Sequence, residues 1–199
     1  MMRSFDWPAL LVACALGLAF AVVGCGGDDT DSSRANAPQT TEDIRRNRIQ
    51  SPDPYPVPDT TLQTLDGGSI NLAEQDGRVL LVNFWATWCA PCREEIPDLI
   101  ELQNDLGPDG LTVVGISLDQ EGASVVRSFM SNYDFNYPLV ADPGGAVEAQ
   151  FGATYGLPTT FVVNPEGQVV RRVLGIFPTD RMRPELDSML TARGSQGAT

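Results

Sequence analysis

Cys89 and Cys92, separated by the dipeptide Ala90-Pro91, are the residues whose types and spacing point most directly to chemistry. They follow an apolar, strand-like run at 79–85 and open a segment with helical periodicity at 91–106. A cysteine at a helix N-terminus faces unpaired backbone N–H groups and the positive end of the helix dipole, and both favour the thiolate over the thiol. Two such cysteines can close into a disulfide and reopen by exchange. The pair therefore predicts a redox site.

Two other uses of such a pair are less consistent with this chain. A zinc site needs two further ligands, but the chain has no histidine, and its remaining cysteines, Cys14 and Cys25, lie near the N-terminus. A permanent structural disulfide over so short a span restrains little of the unfolded chain, because loop-closure entropy grows with loop length. Nor would two buried structural thiols need a proline between them. We expect a redox-active disulfide, with no metal and no other cofactor.

The elements that position the pair belong to one domain, predicted at residues 53–192, a usual length for a single core. The patterning predicts a hairpin at 61–65 and 69–72, strands at 79–85, 111–118, 138–141, 159–163 and 168–174, and helices at 91–106, 122–133, 146–151 and 179–192. Thr179 is the expected N-cap of the last helix. Strands 79–85 and 111–118 are apolar throughout, as in parallel strands buried on both faces. Cys89 then follows the carboxyl end of a central strand, where active sites of open α/β sheets lie.

The N-terminal region carries an export signal. An apolar run at 9–24 suits a signal peptide better than a membrane span, which needs about 20 residues. It ends in Val22-Val23-Gly24-Cys25, which resembles the bacterial lipobox, so residues 1–24 are a predicted signal peptide and Cys25 a predicted lipidation site. A short uncleaved anchor is the alternative. Both place the domain outside the cytoplasm, at a membrane.

Polar segments flank the predicted domain. Residues 25–52 have almost no apolar side chains and are predicted to be a disordered tether, and residues 193–199 a flexible tail. The net charge of −13 argues against nucleic acid as a partner, because phosphate binding requires a basic surface.

Several motifs together resemble one family. They are Trp88-Cys89-Ala90-Pro91-Cys92, Pro58-Asp59, Asp66-Gly67, and the segments at 82–89, 92–97, 156–161 and 164–167. Through them the chain resembles the TlpA-like membrane-tethered thiol–disulfide oxidoreductases, which include the ResA proteins of cytochrome c maturation, over nearly the whole of residues 57–190. The resemblance implies an α/β thioredoxin fold, with a central mixed sheet flanked by helices, an N-terminal hairpin, and a helical insertion after the second central strand.

The resemblance also implies roles for individual residues. Cys89 is the expected attacking thiolate and Cys92 the resolving thiol. Pro158 corresponds to the cis-proline that lies against the disulfide and offers backbone to a bound peptide, although a trans-proline beginning a strand is an alternative. We expect the substrate-binding surface to contain these residues: Trp88, Ala90, Pro91 and Leu157. Trp85 fits a core position as well as a functional one.

Glu95 is the candidate proton-transfer group. It lies three residues after Cys92, so both share one face of the predicted helix. A carboxylate beside a dithiol can relay protons, and its charge raises the pKa of nearby thiols. The alternative is a solvated acid like Glu94. Asn83 stands where cytoplasmic thioredoxins carry a buried aspartate, and it cannot exchange a proton. Tyr133, in the insertion, fits either core or interface.

Four functions are consistent with the pair to different degrees. The first is a reductase of disulfides in exported proteins; the resemblance implies apocytochrome c as the leading substrate and a membrane thiol transporter as the electron donor. The second is an oxidase or isomerase of secreted proteins. A peroxiredoxin-type peroxidase fits less well, because Val82 and Ala86 stand where that site has Pro and Thr. A non-catalytic binding module is disfavoured by the intact cysteine pair.

Overall fold

The computed structural model describes residues 48–75, 77–152 and 154–196, with side chains up to residue 192. The predicted signal peptide, Cys25 and the predicted tether up to residue 47 lie outside these residues. Within the described part of the chain, every helix is too short or too polar to cross a lipid bilayer.

The described residues form nine strands and four helices. The strands are β1 (Ile49–Gln50), β2 (Tyr55–Pro56), β3 (Thr61–Gln63), β4 (Ser69–Asn71), β5 (Val79–Trp85), β6 (Leu111–Ser117), β7 (Leu139–Ala141), β8 (Thr159–Val163) and β9 (Gln168–Leu174). The helices are α1 (Ala90–Leu106), α2 (Ala123–Met130), α3 (Ala146–Gln150) and α4 (Thr179–Gln196). Every predicted element is present in the predicted order, which confirms the α/β fold class, and β1 and β2 are additional strands.

The central sheet is mixed. Its order is β1-β9-β8-β5-β6-β7, with β2 pairing the other end of β9, while β3 and β4 form a separate hairpin. β5 runs parallel to β6 and antiparallel to β8, and all seven of its residues are buried. Such burial on both faces explains the continuous apolar sequence of β5. Its carboxyl end delivers the chain to the cysteine turn.

Two apolar cores lie on the two faces of this sheet. One contains α1 and α4 and includes both cysteines, together with Leu99 of α1 and Leu186 of α4. The other lies under the hairpin and includes Leu62, Ile70 and Phe161. The alternation along β5 decides the division, because Leu81 enters the first core and Leu80 the second. The cysteine pair is thus built onto the helical face of the sheet.

Regular structure is already present before the predicted domain start. Ile49 and Gln50 pair antiparallel with Val173 and Arg172 of β9, although the sequence places both in the tether. A strand of two residues is too short to show a periodic pattern in the sequence. The pairing forms because β9 would otherwise present unpaired backbone groups at the sheet edge.

The last helix also differs from its prediction. α4 extends through Gln196, into the predicted tail. The carbonyl of Pro178 accepts the first helical bond from the Met182 N–H at 3.0 Å, so Pro178, and not Thr179, is the N-cap. Helix ends shift by a residue when backbone bonds rather than side chains decide them.

Candidate active site

Cys89 and Cys92 form a disulfide at the N-terminus of α1, with their Cα atoms 5.3 Å apart. Cys89 is the N-cap residue, and its sulfur accepts a hydrogen bond from the Cys92 N–H at 3.3 Å. Pro91 fits the first turn of α1, where its missing N–H costs nothing. Cys89 is 5% exposed and Cys92 is fully buried. Only the outer sulfur is therefore within reach of a partner in solution.

Asp119 fixes the turn that precedes the pair. Its carboxylate accepts hydrogen bonds from the Thr87 N–H at 2.9 Å and the Thr87 hydroxyl at 2.6 Å. The Ser117 hydroxyl donates to the same carboxylate at 2.7 Å. Asp119 is 1% exposed, so these bonds replace its water shell. The sequence does not point to Asp119, because nothing near it in the chain marks Thr87 as its partner.

Pro158 lies on the loop before β8. The Leu157–Pro158 peptide bond is cis, the isomer that the resemblance implies. The Pro158 carbonyl accepts a hydrogen bond at 2.8 Å from the N–H of Gly175, whose φ of 84° favours glycine. Pro158 is buried and Leu157 half-buried, with Leu157 packed against the core that contains the cysteines. The loop between β9 and α4, residues 175–178, is thereby fastened to the proline.

Glu95 is buried, with 1% of its surface exposed, whereas the adjacent Glu94 is exposed. Its Oε1 accepts a hydrogen bond from Asn83 Nδ2 at 2.8 Å, and its Oε2 accepts one from the Phe177 N–H at 2.8 Å. The alternative of a solvated acid on the helix surface is therefore excluded by its position. Glu95 and Cys92 lie on the buried face of α1, three residues apart.

Burial raises the pKa of the Glu95 carboxyl to about 7, because an ionised carboxylate loses its hydration there. The hydrogen bonds from Phe177 and Asn83 oppose this shift, and the nearby Asp98 adds to it. The carboxyl therefore changes its protonation close to neutral pH, where it can accept or return a proton. Burial also raises the pKa of Tyr137, and the charge of Glu95 raises it further.

The surface around the disulfide is exposed and apolar. Trp88 is 66% exposed, and Ala90 and Pro91 are also exposed. An extended peptide can contact this surface while its sulfur approaches Cys89. Trp88 is thus available for binding a substrate, and its high exposure means that it contributes little to the packing of the core.

Trp85 is a core residue. It is 2% exposed and packs against Phe129 and Phe135 at ring-centroid distances of 5.4 and 6.1 Å. Both partners belong to the insertion after β6. The insertion also contacts α1, since the Tyr133 hydroxyl lies 3.4 Å from the Arg93 carbonyl. That carbonyl lacks its helical partner because Pro97 has no N–H.

The sequence of this chain matches known proteins over most of the described domain. The AhpC/TSA family matches residues 55–172. The chain is 33% identical over 133 residues to the thioredoxin-like protein YneN of Bacillus subtilis, covering 66% of this chain and 76% of that protein. It is 35% identical over 119 residues to the thiol-disulfide oxidoreductase ResA of the same organism, covering 60% of this chain and 65% of ResA.

The structure gives the same result. It superposes on a thiol:disulfide interchange protein of the thioredoxin family from Chlorobium tepidum with a TM-score of 0.63 and 30% identity. The match covers 71% of this chain and 99% of the other. The thioredoxin fold that the sequence implies is confirmed, and so is the resemblance to ResA-like proteins.

Proposed function

This chain belongs to the AhpC/TSA family and is a thiol–disulfide oxidoreductase of the ResA type, and we propose that it reduces disulfides of exported proteins. The position of Cys89 carries the proposal: its sulfur lies at a helix N-terminus beside an exposed apolar surface, while Cys92 is buried behind it. A helix N-terminus stabilises the thiolate that attacks and makes Cys89 a good leaving group.

The reaction starts from the reduced enzyme. The Cys89 thiolate attacks one sulfur of the substrate disulfide, forms a mixed disulfide, and releases the other substrate sulfur as a thiolate, which takes a proton from water. Cys92 then loses its proton and attacks Cys89 Sγ. The mixed disulfide breaks, the second substrate thiol leaves after protonation, and the Cys89–Cys92 disulfide remains. Two electrons have passed from enzyme to substrate, and no cofactor beyond the cysteine pair is required.

Glu95 is the proposed acceptor of the Cys92 proton. It shares the buried face of α1 with Cys92, and its pKa of about 7 suits proton exchange at neutral pH. Asn83 stands where cytoplasmic thioredoxins carry a buried aspartate, and its amide cannot take up or release a proton at neutral pH. The substrate contacts the surface formed by Trp88, Ala90 and Pro91, and its backbone lies along Leu157 and Pro158.

The enzyme acts outside the cytoplasm, attached to a membrane through lipid on Cys25. The apolar leader and the lipobox-like Val22-Val23-Gly24-Cys25 support this location. Oxidised thiols persist there, so a reductase needs electrons from inside. We propose a membrane thiol transporter as the electron donor and apocytochrome c as a substrate.

The test is the equilibrium reduction potential of the Cys89–Cys92 pair in the purified protein, measured against a dithiol buffer by tryptophan fluorescence. A reductase is expected near or below about −220 mV, the range of thioredoxin and glutaredoxins. A value near about −120 mV would overturn the proposal and assign the protein to disulfide formation, since strong periplasmic oxidants lie there.

A further inference from the structure

Asn83 lies on β5 beneath the active site, where it is 3% exposed. Its Nδ2 donates to Glu95 Oε1 at 2.8 Å and to Thr160 Oγ1 at 3.0 Å, so both amide hydrogens are used. Thr160 is the residue directly opposite Asn83 in the antiparallel pair of β5 and β8, and it is fully buried. The amide is therefore held by β8 as well as by the acid.

The carboxylate of Glu95 is fixed at both oxygens by different parts of the chain. Asn83 holds one oxygen from β5, and the Phe177 N–H holds the other from the loop between β9 and α4. With two donors facing it, the side chain has one orientation available in the buried site. A rotated Asn83 amide would turn its carbonyl oxygen toward the carboxylate, which is repulsive.

We propose that Asn83, held in place by Thr160, is a positioning residue that acts through Glu95 and keeps its carboxylate ready to take the proton of Cys92. The inference rests on the role proposed above for Glu95. It assigns to Asn83 and Thr160 a part in the reaction although neither exchanges a proton.

An amide suits this position better than an acid. An aspartate at position 83 would bring a second carboxylate to Glu95, and two like charges at that distance cannot both ionise in a buried site. One of them would stay protonated, and the proton affinity would be shared by the pair. Asn83 donates its hydrogen bond at every pH and adds no charge. The titration near neutral pH is thereby left to Glu95.

The charged and titratable groups around Glu95 explain why the hydrogen bond from the Asn83 amide affects the pKa of the Glu95 carboxyl. Asp98 on α1 favours the neutral acid, and Tyr137, before β7, is itself kept neutral by burial and by Glu95. Asp180 and Arg181 open α4 and share a surface cavity with Asp98. Burial disfavours the ionised carboxylate of Glu95, and two hydrogen bonds, one of which comes from Asn83, oppose this effect. Removing that bond shifts the titration to higher pH.

The experiment follows the resolving step alone. Full-length enzyme is reduced and mixed with excess 5,5′-dithiobis(2-nitrobenzoate); attack by Cys89 releases one coloured aryl thiolate and leaves the other aryl thiol bound to Cys89. The second thiolate is released in a later phase whose rate does not depend on the reagent concentration, and that phase reports the attack of Cys92. The release rate is measured from pH 5 to 9 for the wild type and for Asn83→Ala, Thr160→Val, Thr160→Ser, Glu95→Gln and the Asn83→Ala/Glu95→Gln double variant. Asn136→Ala, which removes an exposed amide bonded to α1, is the control.

We expect Glu95→Gln to abolish the inflection near pH 7. Asn83→Ala should move the inflection upward and leave the plateau at high pH unchanged. A shift of one unit slows release about fivefold at pH 7, where half of the wild-type carboxyl is ionised, and about tenfold well below pH 7. Thr160→Val should shift the profile in the same direction by less, Thr160→Ser should restore it, and Asn136→Ala should match the wild type. In the Glu95→Gln background, Asn83→Ala should have no further effect.

Three outcomes would overturn the inference. If Asn83→Ala slows release equally with and without Glu95, Asn83 does not act through the acid. If Glu95→Gln changes the profile but neither Asn83→Ala nor Thr160→Val does, the inference fails while the role of Glu95 stands. If Glu95→Gln leaves the profile unchanged, both fail. Should Asn83→Ala not fold, the Thr160 pair, which keeps Asn83, decides the question.

Discussion

Asp119 accepts hydrogen bonds from both the backbone N–H and the hydroxyl of Thr87, which lies two residues before Cys89. Thr87 follows β5 and Asp119 follows β6, so the contact joins the ends of two adjacent parallel strands. The turn that carries Trp88 and Cys89 is therefore oriented by a residue outside it. The reactive sulfur owes its position to the sheet as much as to the helix.

Asp119→Ala should impair both stability and reactivity. It leaves the Thr87 N–H and hydroxyl and the Ser117 hydroxyl without their acceptor, which we expect to lower the free energy of unfolding by about 2–4 kcal/mol. Thiol exchange at Cys89 should slow because the turn is no longer held. Urea denaturation and the rate of reaction with a model disulfide measure the two effects.

Asp142→Ala is the matched control for Asp119→Ala. Asp142 is also buried, and its carboxylate accepts three backbone N–H bonds at the start of α3. Its loss should destabilise the fold by a similar amount and leave the exchange rate unchanged. An Asp119→Ala protein that exchanges as fast as the wild type would contradict the proposed function of this contact.

Glu95→Gln should change how stability depends on pH. The pKa of the folded carboxyl, about 7, lies above its ordinary value of 4.5, so the folded state binds the proton more tightly between these pH values. The wild type therefore loses stability as pH rises through this window, by up to about 3 kcal/mol above pH 7, and the glutamine variant does not. Urea unfolding at pH 4, 6 and 8 measures the difference between the two proteins.

Glu94→Gln provides the comparison for this effect, because Glu94 is exposed on the same turn of α1. Its change in stability should stay within about 0.5 kcal/mol at each pH. A difference between wild type and Glu95→Gln that is the same at pH 4 and pH 8 would show that Glu95 does not titrate in this window.

Replacing the two tryptophans beside the site should affect different properties: substrate binding for Trp88 and stability for Trp85. Trp88→Ala should leave the free energy of unfolding within about 0.5 kcal/mol, because the side chain is 66% exposed, and should raise KM for a protein disulfide several-fold. Trp85→Ala should lower the free energy of unfolding by about 3–5 kcal/mol, because that side chain is buried. Steady-state kinetics with a protein and a small disulfide separate binding from chemistry. Equal loss on both substrates in Trp88→Ala would argue against a binding surface.

Cys92→Ser should trap the enzyme on its substrate. Cys89 remains able to attack, and without the resolving thiol the mixed disulfide persists, which mass spectrometry of the intact protein detects. Cys89→Ser should form no adduct, because Cys92 is fully buried. An adduct on Cys92 in that variant would reverse the assigned order of attack.

The sequence predicts much of this site because the relevant signals are local. The cysteine spacing, the apolar strand before it and the helix after it lie within residues 79–106, and the three-residue offset places Glu95 on the same helix face as Cys92. The cis bond at Pro158 is implied by resemblance and is found in the structure. These features need no knowledge of which strands are neighbours.

The partners of these residues could not be predicted, because each depends on sheet register or on a backbone atom. Thr87 and Asp119 are 32 residues apart and meet only because β5 and β6 are neighbours. The N–H that holds Glu95 belongs to the backbone of Phe177, 82 residues away, and a backbone donor has no signature in the sequence. Asn83 does not carry a proton, and its role as a hydrogen-bond donor is apparent only once Glu95 is known to be buried beside it.

The short strands at the two edges of the sheet affect how the enzyme can meet an extended polypeptide. β1 and β2 cover the far side of β9 with two residues each, Pro56 removes a donor from β2, and β7 has three residues with a bridge from Thr64 to Val140. Neither edge offers a long run of free backbone groups, which is what templates intermolecular strand addition. We therefore expect an extended polypeptide that reaches Cys89 to exchange its sulfurs there without adding a strand to the sheet.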